Sequence, residues 1–355
     1  MFGVNKLIEK LVTEKKEWKE VINKFSNNDI YYDYDFYTSF STLGDGEPNL
    51  YFMECEQGTV AYPYMLRRID TNKIDCSYPE IFDISSVYGY GGPLYCLGDE
   101  GNISALKNVF SKNFEAYCLK SNIISQFDRF HPLLENHIFF ENYEEIQLNR
   151  KTIAIELFDR EMIWDNIHPK CKNMIRKAKK SNIKCVINDK KETLSEFIDI
   201  YYETMINNNA DNYYFFEKNF FETSQALLDE KLIICNAYLN DEVICSILVL
   251  VSENYLHYYL SGSKMEYRSL QPNSLLLYEI SNWGSEFGKK FFHLGGGVSS
   301  PTDNLYKFKK SFNRKESGEK SFYIGKKIHN INIYNELCNK FSKDKNVDYF
   351  PAYRG

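Results

Sequence analysis

Two short stretches hold residue types that stabilise a developing negative charge. The first is His293-Leu-Gly-Gly-Gly297. Gly295, Gly296 and Gly297 leave main-chain N–H groups unshielded and let a ligand approach the backbone closely. The second is Asn304-Leu-Tyr-Lys-Phe-Lys-Lys-Ser-Phe312. A lysine at the mouth of a cleft holds a phosphate or an oxyanion as a point charge. Helical spacing puts Lys307 and Lys310 together and Lys309 on another face with Leu305. Three further stretches qualify. Tyr88-Gly-Tyr-Gly-Gly-Pro93 presents Tyr88 and Tyr90 from a glycine-rich backbone, but lacks the spacing of a dinucleotide fingerprint. Arg129 and His131 follow an apolar run. Ser261 and Ser263 offer hydroxyls where a run of apolar and aromatic residues gives way to small ones, without the elbow motif of a serine nucleophile.

These residues need elements to position them. Apolar spacing predicts a helix over 4–25. Extended runs follow at 50–55 and 59–68, turning at Gly58, then the Tyr/Gly loop, a helix at 103–119 and a strand at 122–127. The second half repeats the order. Helices are expected at 192–208 and 216–228, a hairpin at 232–239 and 242–251 turning on Asn240-Asp241, and a strand at 255–260. A loop at 261–272, a helix at 273–287 and a strand at 290–294 complete it. Between the halves, 138–157 reads as a pair of alternating strands and 170–180 as a short basic helix. Each half thus reads hairpin, loop, helix, strand, which predicts a duplicated α/β fold with mixed sheets. In open α/β sheets, ligands sit beyond the carboxyl ends of strands, which puts Gly295–Gly297 at the expected place.

The chain has 355 residues and a net charge of −6. That length suits two domains, and that charge argues against a broad nucleic-acid surface. Tyrosine and phenylalanine are abundant, at 28 and 26. A surplus of tyrosines can line a polar cleft, but biased codon usage also produces it. Nine scattered cysteines, never in a C-x-x-C pair, predict reduced core thiols, a cytoplasmic location and no zinc site. No run is long and apolar enough to span a bilayer.

Taken in order, Tyr88–Pro93, Arg129-Phe-His-Pro-Leu133, Ile175-Arg-Lys-Ala178, Tyr259-Leu-Ser-Gly-Ser263, His293–Gly297 and Phe308-Lys-Lys-Ser-Phe312 resemble the Fem-type peptidoglycan bridge-forming aminoacyltransferases and their acetyltransferase-like relatives. That resemblance implies two tandem GNAT-like domains, expected at 1–150 and 151–330, with a C-terminal helix and tail at 331–355. It implies transfer of an aminoacyl or acyl group to an amine of a cell-wall or glycan precursor, by direct attack. No metal and no tightly bound cofactor are implied; aminoacyl-tRNA or acyl-CoA serves as co-substrate. The partners it implies are a small-molecule or glycopeptide precursor and the 3′ end of aminoacyl-tRNA. Lys309 becomes the charge stabiliser. Ser261, Ser263, Asn273 and the three glycines become the donor channel, and Tyr88, Tyr90, Arg129 and His131 the acceptor side.

Three departures stand beside the resemblance. The segment Arg268-Ser-Leu-Gln-Pro-Asn273 falls where the family places its pyrophosphate loop, yet it has no glycine and contains Pro272, which lacks an N–H. Phe308 falls where a tyrosine often protonates the leaving group. No long charged arm is present. An acyl-CoA-dependent N-acetyltransferase and a catalytically silent binding module are the alternatives that follow.

Overall fold

The computed structural model describes residues 7–70, 80–298, 303–341 and 349–355. The chain divides into two units, 1–149 with 322–355 and 150–321.

Unit 1 opens with strand β1 (Ile8–Val12) and helices α1 (Lys15–Ile22) and α2 (Tyr34–Ser41). Strands β2 (Glu47–Cys55), β3 (Gly58–Arg68), β4 (Phe82–Ser85) and β5 (Leu94–Leu97) follow. Helix α3 (Ile103–Lys120) leads to β6 (Ile123–Arg129) and the short α4 (His137–Phe140). The strand order is β1-β2-β3-β4-β6, and Ile324–Ile328 close the sheet antiparallel to β6. Pairing is antiparallel except between β4 and β6, which α3 joins as a parallel crossover. The core beneath α3 is aromatic: Tyr51, Tyr62, Tyr64, Phe110, Phe114, Phe139 and Phe140 pack together. Rings meet edge-on, as Tyr62 does with Phe114 at 5.2 Å and Phe140 at 5.3 Å.

Much of the tyrosine surplus is therefore structural. Tyr32, Tyr37, Tyr62 and Tyr64 are fully buried, and each hydroxyl has a partner: Gly91 O, Pro63 O, the Asp128 carboxylate and the Tyr117 hydroxyl.

Strand β7 (Glu145–Glu156) leads into unit 2. Helices α5 (Arg160–Asn166) and α6 (Pro169–Lys180) precede strand β8 (Lys184–Ile187) and helices α7 (Leu194–Asn207) and α8 (Lys218–Leu228). Strands β9 (Leu232–Leu239), β10 (Glu242–Val251) and β11 (Tyr255–Ser263) form an antiparallel meander. Helix α9 (Pro272–Glu286) then crosses to β12 (Phe291–Gly296), which lies parallel to β11. Helix α10 (Asn304–Lys310) follows, before strand β13 (Glu319–Ile328) and helix α11 (Ile331–Phe341). The strand order in unit 2 is β7-β12-β11-β10-β9-β8.

The expected duplication is present. Both units contain antiparallel strands, then a helix, then a strand parallel to one of them (β6 to β4 and β12 to β11). The β9–β10 hairpin turns where expected, on Asn240 and Asp241, both at positive φ (50° and 65°). That is the primed turn whose twist matches antiparallel strands.

Three expectations change. Residues 8–12, placed in a helix by their spacing, pair antiparallel with β2 as β1. Leu7 and Leu11 are exposed, so the apparent helical stripe is not a buried face. The pair of strands expected at 138–157 is a short helix and one long strand. Residues 322–355, expected to divide between the second domain and a tail, fold into unit 1. The reason is β13, which supplies the antiparallel partner of β6, and Leu337 and Tyr353, which pack on Ile69, Ile81 and Ile124. The eight described cysteines are free thiols; Cys76 lies outside the described residues.

Candidate functional site

The site in unit 2 is a fork in the sheet. β11 and β12 pair only at Tyr255–Phe291, Leu256–Phe292 and His257–His293. Beyond that point β11 stays on β10 as far as Ser263, while β12 stays on β7 as far as Gly296. A bulge starts the divergence. Leu248 faces Leu260 and Val249 faces Tyr258, so Tyr259 is an extra residue on β11. A second register shift falls on β12, between His293 and Gly295.

Lys309 lies in the fork. Its Nζ donates to the Gly296 carbonyl at 2.8 Å and sits 5.4 Å from the centre of the Tyr258 ring. The side chain reaches there because α10 turns Tyr306 and Lys309 inward, at i and i+3. Leu305, expected beside Lys309, points outward instead. Only 7% of Lys309 is exposed. Burial drives its pKa from 10.5 down to about 7, with the Arg150 charge pushing the same way and Asp303 opposing.

Of the three glycines, Gly296 holds Lys309 through its carbonyl. Gly295 has φ +74°, at the register shift within β12. A Cβ on Gly297 would lie 2.3 Å from Asp303 Oδ2. That carboxylate accepts from Val298 N–H at 2.7 Å and, through Oδ1, from Tyr306 N–H at 2.7 Å. Asp303 thus caps α10 and latches the glycine turn with one side chain. Arg150 holds the same turn, donating to Gly297 O at 2.8 Å and Val298 O at 3.1 Å. His293 is a strand-end support: its Nε2 lies 2.9 Å from Thr152 Oγ1, and the residue is 2% exposed.

The β11 side of the fork is polar. Tyr258 OH meets Ser261 Oγ at 2.5 Å, and Asn273 also hydrogen-bonds the Tyr258 hydroxyl. Burial holds that phenol above its usual pKa. Ser263 is anchored away from this cluster, its N–H donating to Thr204 Oγ1 at 2.9 Å. Asn273 opens α9 directly after Pro272. Pro272 occupies the first helical position, where its missing N–H costs nothing to the helix, and Gln271 supplies the left-handed turn (φ 64°). Asn273 Oδ1 and Ser274 Oγ are buried without a hydrogen-bond acceptor or donor opposite them. The sequence pattern singled out Lys309, Ser261 and Asn273. It missed Tyr258, Asp303 and Arg150, which lie at no distinctive spacing; only the fork brings them together.

The four remaining candidates are in unit 1. Tyr90 lies edge-on to Tyr31 at 5.2 Å and to His131 at 5.7 Å. Tyr88 stacks on Phe40 at 5.5 Å. The Arg129 guanidinium lies 4.8 Å from the Phe127 ring centre, and its main-chain N–H donates to Ser86 Oγ. His131 is fully buried. Leu133 N–H donates to its Nδ1 at 3.3 Å, which leaves Nε2–H to donate to Asp29 Oδ2 at 2.8 Å. His131 thus bonds Asp29 and Leu133 and meets the Tyr88–Pro93 loop at the Tyr90 ring.

Residues 169–310 match the family model described as acetyltransferase (GNAT) domain. That span contains the fork, α9 and Lys309. The fold as a whole is similar to a crystal structure of FemX, with a TM-score of 0.67 at 12% identity over 93% of this chain and 99% of that one. A conserved protein of unknown function from Bacteroides thetaiotaomicron VPI-5482 follows, with a TM-score of 0.56 at 12% identity over 90% and 100%. The C-terminal domain of a putative lysylphosphatidylglycerol synthetase from Agrobacterium fabrum gives 0.52 at 11% identity over 88% and 92%. At these identities the likeness is one of fold. No curated protein matches by sequence.

Proposed function

With an acetyltransferase (GNAT) domain over residues 169–310 as the premise, we propose that this acyltransferase moves an acyl group to an amine at the β11–β12 fork of unit 2. The observation that carries the reading is the buried Lys309 ammonium, held by one carbonyl and one aromatic face at the point where the strands part. Lysines are rarely buried without a carboxylate contact, and a strongly shifted one in a cleft marks chemistry.

The amine attacks the carbonyl carbon of a bound ester or thioester. The new C–N bond forms and the carbonyl oxygen becomes an oxyanion. Lys309 in its charged form stabilises that oxygen. Collapse breaks the bond to the leaving group, which takes up the proton given by the amine. Phe308 cannot supply that proton, so it passes directly or through solvent. Holding both reactants in the fork supplies much of the rate. Tyr258, Ser261 and Asn273 form the polar wall of the donor channel, with Ser263 and the glycine turn at its ends. The N-terminus of α9, with the buried Ser274 hydroxyl left to donate, suits the anionic part of a donor.

The finer assignment is an amine of a cell-wall or glycan precursor as acceptor, with Tyr88, Tyr90 and Arg129 on the acceptor side and His131 supporting them. The domain type favours acyl-CoA as donor; the glycine-free turn before α9 and Phe308 favour an aminoacyl ester. The test is incubation with acetyl-CoA or aminoacyl-tRNA and a panel of amines, read by product mass. Lys309→Ala should slow transfer by about a hundredfold or more. Unchanged turnover in that variant would overturn the role of Lys309. Phe308 also suits a binding module without chemistry, and detectable transfer from either donor eliminates that reading.

A further inference from the structure

Helix α6 carries a charge pattern that the transfer chemistry does not use. Between Asp165 and Asp189 the chain has seven cations (Lys170, Lys172, Arg176, Lys177, Lys179, Lys180 and Lys184) and no Asp or Glu, in a protein of net charge −6. The helix buries Cys171, Ile175 and Ala178, one stripe at i, i+4 and i+7. The opposite face therefore presents Lys170, Lys177 and Lys180, all exposed. Lys172 and Lys179 approach Asp165 at 4.0 Å and Glu279 at 2.9 Å. Lys170, Arg176, Lys177, Lys180 and Lys184 form no ion pair among the described residues. Like charges one turn apart repel. A row of them kept free of acids is complementary to a polyanion.

Two classes of polyanion fit such a row, a nucleic acid and an anionic bilayer. Six of the seven cations are lysine. Nucleic-acid recognition draws on arginine forks and on ring faces open for base stacking. The indole beside this helix, Trp164, is already occupied: Lys172 Nζ lies 5.4 Å and the Arg176 guanidinium 5.3 Å from its centre, and Tyr278 packs edge-on at 5.2 Å. In contrast, an apolar side chain stands among the lysines: Met174 on α6 is 37% exposed. Lysines beside exposed apolar groups match a headgroup layer, where the charges meet phosphates and the apolar tips enter the acyl boundary.

We propose that the outer face of α6 docks on anionic phospholipid headgroups and holds unit 2 at a bilayer surface without crossing it. The proposal is independent of the chemistry at the fork. No helix among the described residues is long and apolar enough to span a membrane.

Co-sedimentation with phosphatidylcholine vesicles, with and without phosphatidylglycerol, tests it on the full chain. Binding is expected only to the phosphatidylglycerol vesicles, and it should weaken as salt rises. Each neutralised lysine should cost roughly fivefold in partition, so Lys177→Gln with Lys180→Gln should lose about 30-fold. Both side chains are exposed, and an unchanged melting temperature will confirm that the double variant folds. No binding to phosphatidylglycerol vesicles, or undiminished binding by the double variant, overturns the proposal. Binding to a polyuridine oligonucleotide that the double variant loses, without vesicle binding, replaces it with the nucleic-acid reading.

Discussion

A buried amine with a pKa near 7 is costly to keep. The unfolded chain binds the lysine proton up to about pH 10.5, while the folded one releases it near 7. Between those values the unfolded state holds more protons, so this group's contribution to stability rises with pH. The cost is fully present below about pH 7, and each tenfold loss of proton affinity on folding corresponds to about 1.4 kcal/mol. A side chain that weakens the fold at neutral pH is retained for what it does. If the charged form stabilises the oxyanion, kcat/KM should fall as pH rises through about 7. Lys309→Arg should be slower, because a planar guanidinium replaces a compact amine, but its pH profile should lose that falling limb. A limb near pH 7 that persists in the arginine variant assigns it to another group. The sequence pattern singled out Lys309. It could not show the burial, because the flanking Lys307 and Lys310 make the stretch read as a solvated face.

At the scale of elements, Asp303 joins two features that the sequence presents separately, the glycine turn and α10. Its carboxylate accepts from Val298 N–H and Tyr306 N–H, so the strand end and the lysine helix hold one geometry. Asp303→Ala should lower stability by about 1–2 kcal/mol through loss of the cap, measured by urea unfolding. It should also lower kcat/KM, by about tenfold if Lys309 shifts within the fork. Asp303 raises the Lys309 pKa, so the falling limb should move to lower pH, a change that loss of helix stability alone does not produce. The first element shows how element type was misread. Ile8–Val12 carries apolar residues at spacings compatible with a helix, but its backbone groups pair with β2. Five residues are too few for periodicity to separate the two possibilities. Where local chemistry was decisive, the reading was accurate. Asn240-Asp241 fixed a primed turn, and Gly288 ended α9 at φ 67°.

At the scale of the whole molecule, the chain begins in unit 1, builds unit 2 and returns to unit 1. The return is held by charge as well as packing. Asp83 is fully buried and accepts from Arg67 Nε at 2.6 Å, Arg354 Nε at 2.6 Å and Tyr353 OH at 3.0 Å. Removing one partner of a buried charge costs more than the pair contributes, because the remaining charge is left desolvated. Arg67 and Tyr353 stay in place, so Arg354→Ala should destabilise unit 1 by about 1–3 kcal/mol. Urea unfolding followed by a unit 1 aromatic probe will show it, and an unchanged midpoint would mean that the C-terminal segment is not structural.

By itself the sequence determined the duplicated order of elements, the fold class, the turns, and the lysine and glycines of the fork. Those follow from local rules of spacing, turn conformation and helix start and stop, which act within a few residues. Tertiary structure decided the rest. Tyr258 faces Lys309 because a bulge at Tyr259 parts β11 from β12, and Asp303 and Arg150 meet the glycine turn from 6 and 147 residues away from Gly297. Residues 322–355 joined unit 1 because β6 needed an antiparallel neighbour, a demand made by hydrogen bonding across the sheet and not recorded in the segment itself.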